Sequence, residues 1–102
     1  MKKSLIVALF ALSSIFAFAV PRGCYDGVSG VPKGRKCAIY ISDGTFNVTN
    51  REGEIIVRWQ ITSESNGTLY LSSSTGGSAT ARWWREDGEV YLNFNGAIYV
   101  LN

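Results

Sequence analysis

The sequence predicts an all-β protein: a small antiparallel β-sandwich or barrel of six to seven strands, pinned by one disulfide. Three observations carry that expectation. Short runs rich in β-branched and aromatic residues recur along most of the chain, each closed by a Gly-containing turn. Within the runs, apolar and polar residues alternate with period two, the mark of a half-buried strand. No stretch beyond the first twenty residues sustains a helical period.

The N-terminus reads as a leader rather than a fold element. Met1-Lys2-Lys3 is a cationic start, residues 5–18 form an apolar run broken only by Ser13 and Ser14, and Ala17-Phe18-Ala19 is a small-x-small cleavage signature. That order marks a secretory signal peptide over residues 1–19. The apolar run is too short to span a bilayer comfortably, so stable membrane insertion is not expected. Removing Lys2 and Lys3 takes the basic residues from ten to eight, which match the eight acidic ones. A neutral exported domain has no global pull toward nucleic acid. The location expected is extracellular or periplasmic.

Residues 20–102 then make one domain. A chain of this size buries only about 60% of its unfolded surface and often needs a staple. Cys24 and Cys37 are the only cysteines, and an oxidising compartment makes a bridge between them the expected state. Its loop closure is worth roughly 3 kcal/mol. Residues 20–36 are dominated by Gly, Pro, Ser and charge, and read as an N-terminal loop tied down by that bridge.

Strands are expected over residues 37–42, 45–50, 54–62, 68–73, 79–85, 89–94 and 97–101. Asp87-Gly88 and Asn95-Gly96 are two-residue hairpin signals, because both central residues must adopt positive φ. They set Trp83 opposite Leu92, Ala81 opposite Phe94, and Leu92 opposite Tyr99. Asp43-Gly44 sets Ile41 opposite Phe46 and Ile39 opposite Val48. Ser65-Asn66-Gly67 reads as a three-residue loop, since only that choice puts Ile61 opposite Leu71 on a common apolar face. The inward set so defined runs through Cys37, Ile39, Ile41, Phe46, Val48, Ile55, Val57, Trp59 and Ile61. It continues through Leu69, Leu71, Ala81, Trp83, Val90, Leu92, Phe94, Tyr99 and Leu101. With Cys37 inside, the bridge is expected to seal one end of the core.

The outward set carries the functional expectation. Trp84, Tyr91 and Val100 form one row across the last three strands; Arg82, Asn93 and Ile98 form the next. A solvated sheet face is ordinarily more polar than the first row. Three readings fit it: a second core layer, a protein-recognition surface, and a sugar-stacking platform. Trp, Tyr and Arg are the residues enriched at interface hot spots. The partner-binding candidates are therefore Trp84, Tyr91, Arg82, Asn93 and Val100.

Catalysis is poorly provided for. The chain has no His, which removes the commonest general base and most zinc sites. No cofactor and no metal are expected. Glu86, Asp87 and Glu89 cluster in sequence, as a glycosidase pair would require, but they flank a hairpin turn and read as a charged tip. Lys33-Gly34-Arg35-Lys36 is the one basic run, a solvated loop or a contact for an acidic partner. Asn47-Val48-Thr49 and Asn66-Gly67-Thr68 match the N-glycosylation pattern; Asn66 sits in a turn, whereas Asn47 lies mid-strand and needs an exposed sheet face.

The stretch from Trp83 to Glu89 resembles the aromatic-then-charged segment of bacterial periplasmic lysozyme inhibitors, which are small disulfide-stapled β-barrels. Their second cysteine lies near the C-terminus, whereas this chain ends Val100-Leu101-Asn102. The strand count is also similar to that of small β-sandwich effectors secreted by plant-pathogenic fungi, whose bridge spans more chain. Both resemblances concern architecture, and no functional residue carries over. The sequence-based expectation is a secreted, non-enzymatic protein-binding module of the inhibitor or effector kind. The alternative is a carbohydrate-binding module that stacks sugars on Trp and Tyr.

Overall fold

Turn chemistry dictates the path of the chain. Asn66, Asp87 and Asn95 all adopt left-handed φ, each followed by a left-handed glycine, so three of the hairpins close on two-residue turns whose twist matches that of the strands. The computed structural model describes residues 19–102, and the leader expected over 1–19 lies outside them except for Ala19. Eight strands follow: β1 (Gly23–Ser29), β2 (Ile39–Ser42), β3 (Thr45–Thr49), β4 (Ile55–Ser65), β5 (Thr68–Ser72), β6 (Ser78–Glu86), β7 (Glu89–Phe94) and β8 (Ala97–Leu101). Each pairs with the next, and β8 returns to β1, giving a closed antiparallel barrel.

Closure comes from the segment expected to be loop. β1 aligns Cys24 with Tyr40 on one side and Asp26 with Val100 on the other. The sequence hid this strand because Tyr25 is its one large inward side chain. Gly27 lies inward where the loop from Val31 to Arg35 folds over the strand. A Cβ there would sit 2.6 Å from Val31 Cγ2 and 2.9 Å from the Pro32 carbonyl oxygen. Gly27 N–H donates to the Arg35 carbonyl and its own carbonyl accepts from Gly34 N–H, at 2.9 and 2.8 Å. Only a residue without a side chain allows that approach.

Cys24 and Cys37 are bridged as expected, but in a different place. Cys37 lies in a turn before β2 with φ of 47°, not on the inward face. Cys24 shares the outer face of β1 with Asp26. The disulfide therefore fastens the connecting loop to the outside of the barrel. Asp26 reinforces it, accepting from Cys37 N–H at 2.7 Å and from Asn102 Nδ2 at 3.1 Å.

The interior is filled as the alternation requires. Tyr25, Phe46, Ile39, Ile41, Leu69 and Leu92 are fully buried. Phe46 and Phe94 meet at 4.9 Å between ring centroids, and Trp59 packs edge-on to Phe94 at 6.5 Å. The paired registers set by Asp43-Gly44, Asp87-Gly88 and Asn95-Gly96 are those expected.

Two bulges in β4 alter the rest. Ile61 does face Leu71, yet the turn beneath is the two-residue Asn66-Gly67, with Ser65 opposite Thr68. The odd residue is taken up by a bulge between Ile61 and Ser63. That slip reverses the face of the residues beyond it, and Glu64, opposite Leu69, turns inward. A second bulge sets Val57 opposite Val48 but Ile55 opposite Thr49. Ile55 is thereby moved off the inward face it was expected to share.

Candidate functional site

Rows of side chains cross the outer face of β6, β7 and β8 as the registers predict. Trp84 pairs with Tyr91 and Tyr91 with Val100; Arg82 pairs with Asn93 and Asn93 with Ile98. Arg82 is exposed, and the other five are half-buried. Trp84 and Tyr91 stack on each other, with centroids 5.7 Å apart and planes 18° apart. Trp84 Nε1–H donates to Glu86 Oε1 at 3.2 Å. Among the described residues no strand lies over this row, and its members are half-buried rather than buried. Stacking nevertheless turns part of each ring toward the other and leaves less open face for a pyranose.

The most exposed aliphatic side chains lie elsewhere. Ile56 is 60% exposed, Ile55 43% and Val57 38%. They occupy the first half of β4, which has eleven residues where β5 has five. The β4–β5 ladder begins only at Gln60, opposite Ser72. Among the described residues, Ile55 to Trp59 are thus paired with β3 on one side and with no strand on the other. The loop from Asn50 to Glu54 holds this edge out: Asn50 Oδ1 accepts from Glu52 N–H and Glu54 N–H at 3.0 and 2.9 Å, and Asn50 N–H donates to the Glu54 carbonyl at 2.9 Å. The sequence assigned Ile55 and Val57 to the core. Val57 keeps its inward parity, but the barrel wall stops short beside it. A signal was present in the unequal lengths of the strands expected over 54–62 and 68–73.

The basic run divides in the structure. Arg35 turns inward to donate to the Thr49 carbonyl, while Lys36 reaches Asp26 at 3.8 Å. Arg51 joins Lys33, Arg35 and Lys36 around a shallow, open depression.

Glu86, Asp87 and Glu89 are exposed at the β6–β7 turn. Among the described residues, no three His, Cys, Asp or Glu side chains gather as metal ligands.

The two glycosylation patterns differ in geometry. Asn66 is exposed in its turn. Asn47 is 2% exposed; its Nδ2 donates to the Tyr40 carbonyl and Thr45 Oγ1 at 3.0 and 3.1 Å, and its Oδ1 accepts from Arg58 Nε at 3.0 Å. Asn47 therefore lacks the exposure that modification requires, its amide being held by the Tyr40 carbonyl, Thr45 and Arg58.

Two buried phenols complete the picture. Tyr25 O–H donates to the Pro21 carbonyl at 2.6 Å, and burial pushes its pKa up to about 12, with Arg85 opposing. Burial also raises Tyr99, against the pull of Arg35.

Comparison with known protein families, curated proteins and solved structures finds no match.

Proposed function

We infer that the chain is a non-enzymatic protein-binding module that works outside the cytosol as an inhibitor or effector. The observation that carries this reading is the free apolar edge from Ile55 to Val57. Strand edges in soluble proteins are ordinarily paired, covered or blunted by charge, because an open one templates pairing with another chain. Here the rest of the barrel closes its edges, and this one stays open with three adjacent aliphatic residues exposed.

An extended segment of a partner adding alongside β4 gains main-chain hydrogen bonds for affinity and side-chain pockets for specificity. Full burial of one such aliphatic side chain is worth about 1.5–3 kcal/mol. Glu54 and Arg58 flank the edge and favour a partner with matching charges. The Trp84–Tyr91–Val100 row, with Arg82 and Asn93 beside it, is a second contact of the hot-spot kind. The stacked ring geometry favours protein over glycan there.

The test begins with proteins captured from the medium the chain enters. Each is purified and titrated against the wild type, Ile56→Lys and the double variant Trp84→Ala/Tyr91→Ala. The reading expects a partner whose affinity falls at least about tenfold, 1.4 kcal/mol, for Ile56→Lys. Undiminished binding to both folded variants refutes it.

A further inference from the structure

Glu64 is a carboxylate brought indoors by a bulge, and among the described residues neither ion pair involves it. Its partners are all neutral N–H groups. Trp83 Nε1–H donates to Oε2 at 2.8 Å. The backbone N–H groups of Ala19 and Val20 both approach Oε1, at 3.0 and 3.4 Å. The Val20 side chain is 3% exposed and belongs to the core cluster. The Pro21 carbonyl that follows is held by the Tyr25 hydroxyl. The chain at residues 20 and 21 is therefore packed into the fold, with its nitrogen beside an acid that has no cation partner among the described residues.

We propose that Glu64 is the receiving site for the α-ammonium group of Val20, created when a leader peptidase cuts the Ala19–Val20 bond. Water is the co-reactant. The amide C–N bond breaks, the hydroxyl goes to the Ala19 carbonyl to give a carboxylate, and the Val20 nitrogen becomes an ammonium. Cleavage removes one neutral donor, Ala19 N–H, and turns the other into a full charge. A charge-assisted hydrogen bond is roughly twice as strong as a neutral one. The partly buried carboxylate then has a counter-ion, which burial of a charge ordinarily demands. Processing in this way completes the polar pairing of the fold. The order of events follows: the bond must be cut before Val20 packs, since a buried residue does not fit a peptidase cleft. This inference stands apart from the partner-binding reading and can fail without it.

Three measurements test it. Intact mass of the chain exported with its own leader should give an N-terminus at Val20, and any other start overturns the proposal. Acetylating the α-amine of the processed chain should lower Tm by about 4–8 °C, the response of a small domain to one lost interaction of about 1 kcal/mol. The same acetylation should leave Glu64→Gln unmoved; equal losses in both backgrounds, or none in the wild type, overturn the assignment. Should Glu64→Gln not fold, the wild type alone suffices. Its α-amine should react with an acetylating reagent about tenfold more slowly when folded than in urea, as expected for an amine held protonated by about one extra pKa unit. Equal rates overturn it.

Discussion

Gly27→Ala tests the closure of the barrel at its least obvious strand. The backbone of Gly27 does not have a left-handed φ, so the effect of a methyl group there is steric. Ordinary carbon–carbon contact lies at about 3.5–4.0 Å, whereas the new Cβ would stand 2.6 Å from Val31 Cγ2 and 2.9 Å from the Pro32 carbonyl oxygen. Val31 can rotate, but the Pro32 carbonyl belongs to a loop already tied to Gly27 by two backbone hydrogen bonds. Overpacking of this kind costs about 1–3 kcal/mol. Loosening one of those hydrogen bonds adds about 1 kcal/mol. The expected loss is about 2–4 kcal/mol in urea unfolding, or a fall in Tm of about 8 °C or more. Gly77→Ala is the control: its Cβ would meet only the Ser73 hydroxyl closely, at 3.2 Å. A loss below about 0.5 kcal/mol for Gly27→Ala, within the range of ordinary surface substitutions, would refute the close packing of loop on strand.

Three further outcomes follow from the same geometry. Reducing the Cys24–Cys37 bridge should lower stability by roughly 3 kcal/mol, read as a shift in urea midpoint with and without reductant. Tyr25 should make the alkaline limb steep: its folded pKa of about 12 exceeds the ordinary 10, so its contribution is complete below the unfolded value and disappears as pH rises through the folded one. That is roughly 2–3 kcal/mol between about pH 10 and 12, and Tyr25→Phe should flatten this limb in unfolding titrations. Ile56→Lys should change folding stability by less than about 0.5 kcal/mol, because the side chain already lies in solvent; a large loss would mean that the edge is covered.

Much of the fold was legible because its turns are chemically explicit. Asn95-Gly96 and Asp87-Gly88 admit few backbone solutions, and each fixes a hairpin register and thus a face. The outer row of Trp84, Tyr91 and Val100 followed directly. β1 was illegible for the opposite reason: it closes the barrel with glycine and one tyrosine where pattern reading looks for alternating aliphatic residues. The bulges were hidden too. A bulge is a balance between two ladders, and it appears only when both partners are placed. That is why Glu64 was not expected inside and Ile55 not expected outside. The open edge of β4 depends on how far β5 extends, a difference between strands that no single strand reveals.

The seam between β1 and β8 joins the first strand of the barrel to the last. Every other ladder links neighbours in the chain and can form as hairpins, within microseconds of their strands being available. The seam must wait for residues near 100 to meet residues near 26. During synthesis, the meander can assemble as a sheet but cannot curl shut until β8 has emerged. Until then β1 and the last strand delivered are raw edges, and the interior side of the sheet is open to water. The vulnerable period for aggregation therefore falls at the end of chain delivery, and variants that slow closure of this seam should reduce yield more than they reduce the stability of the finished barrel.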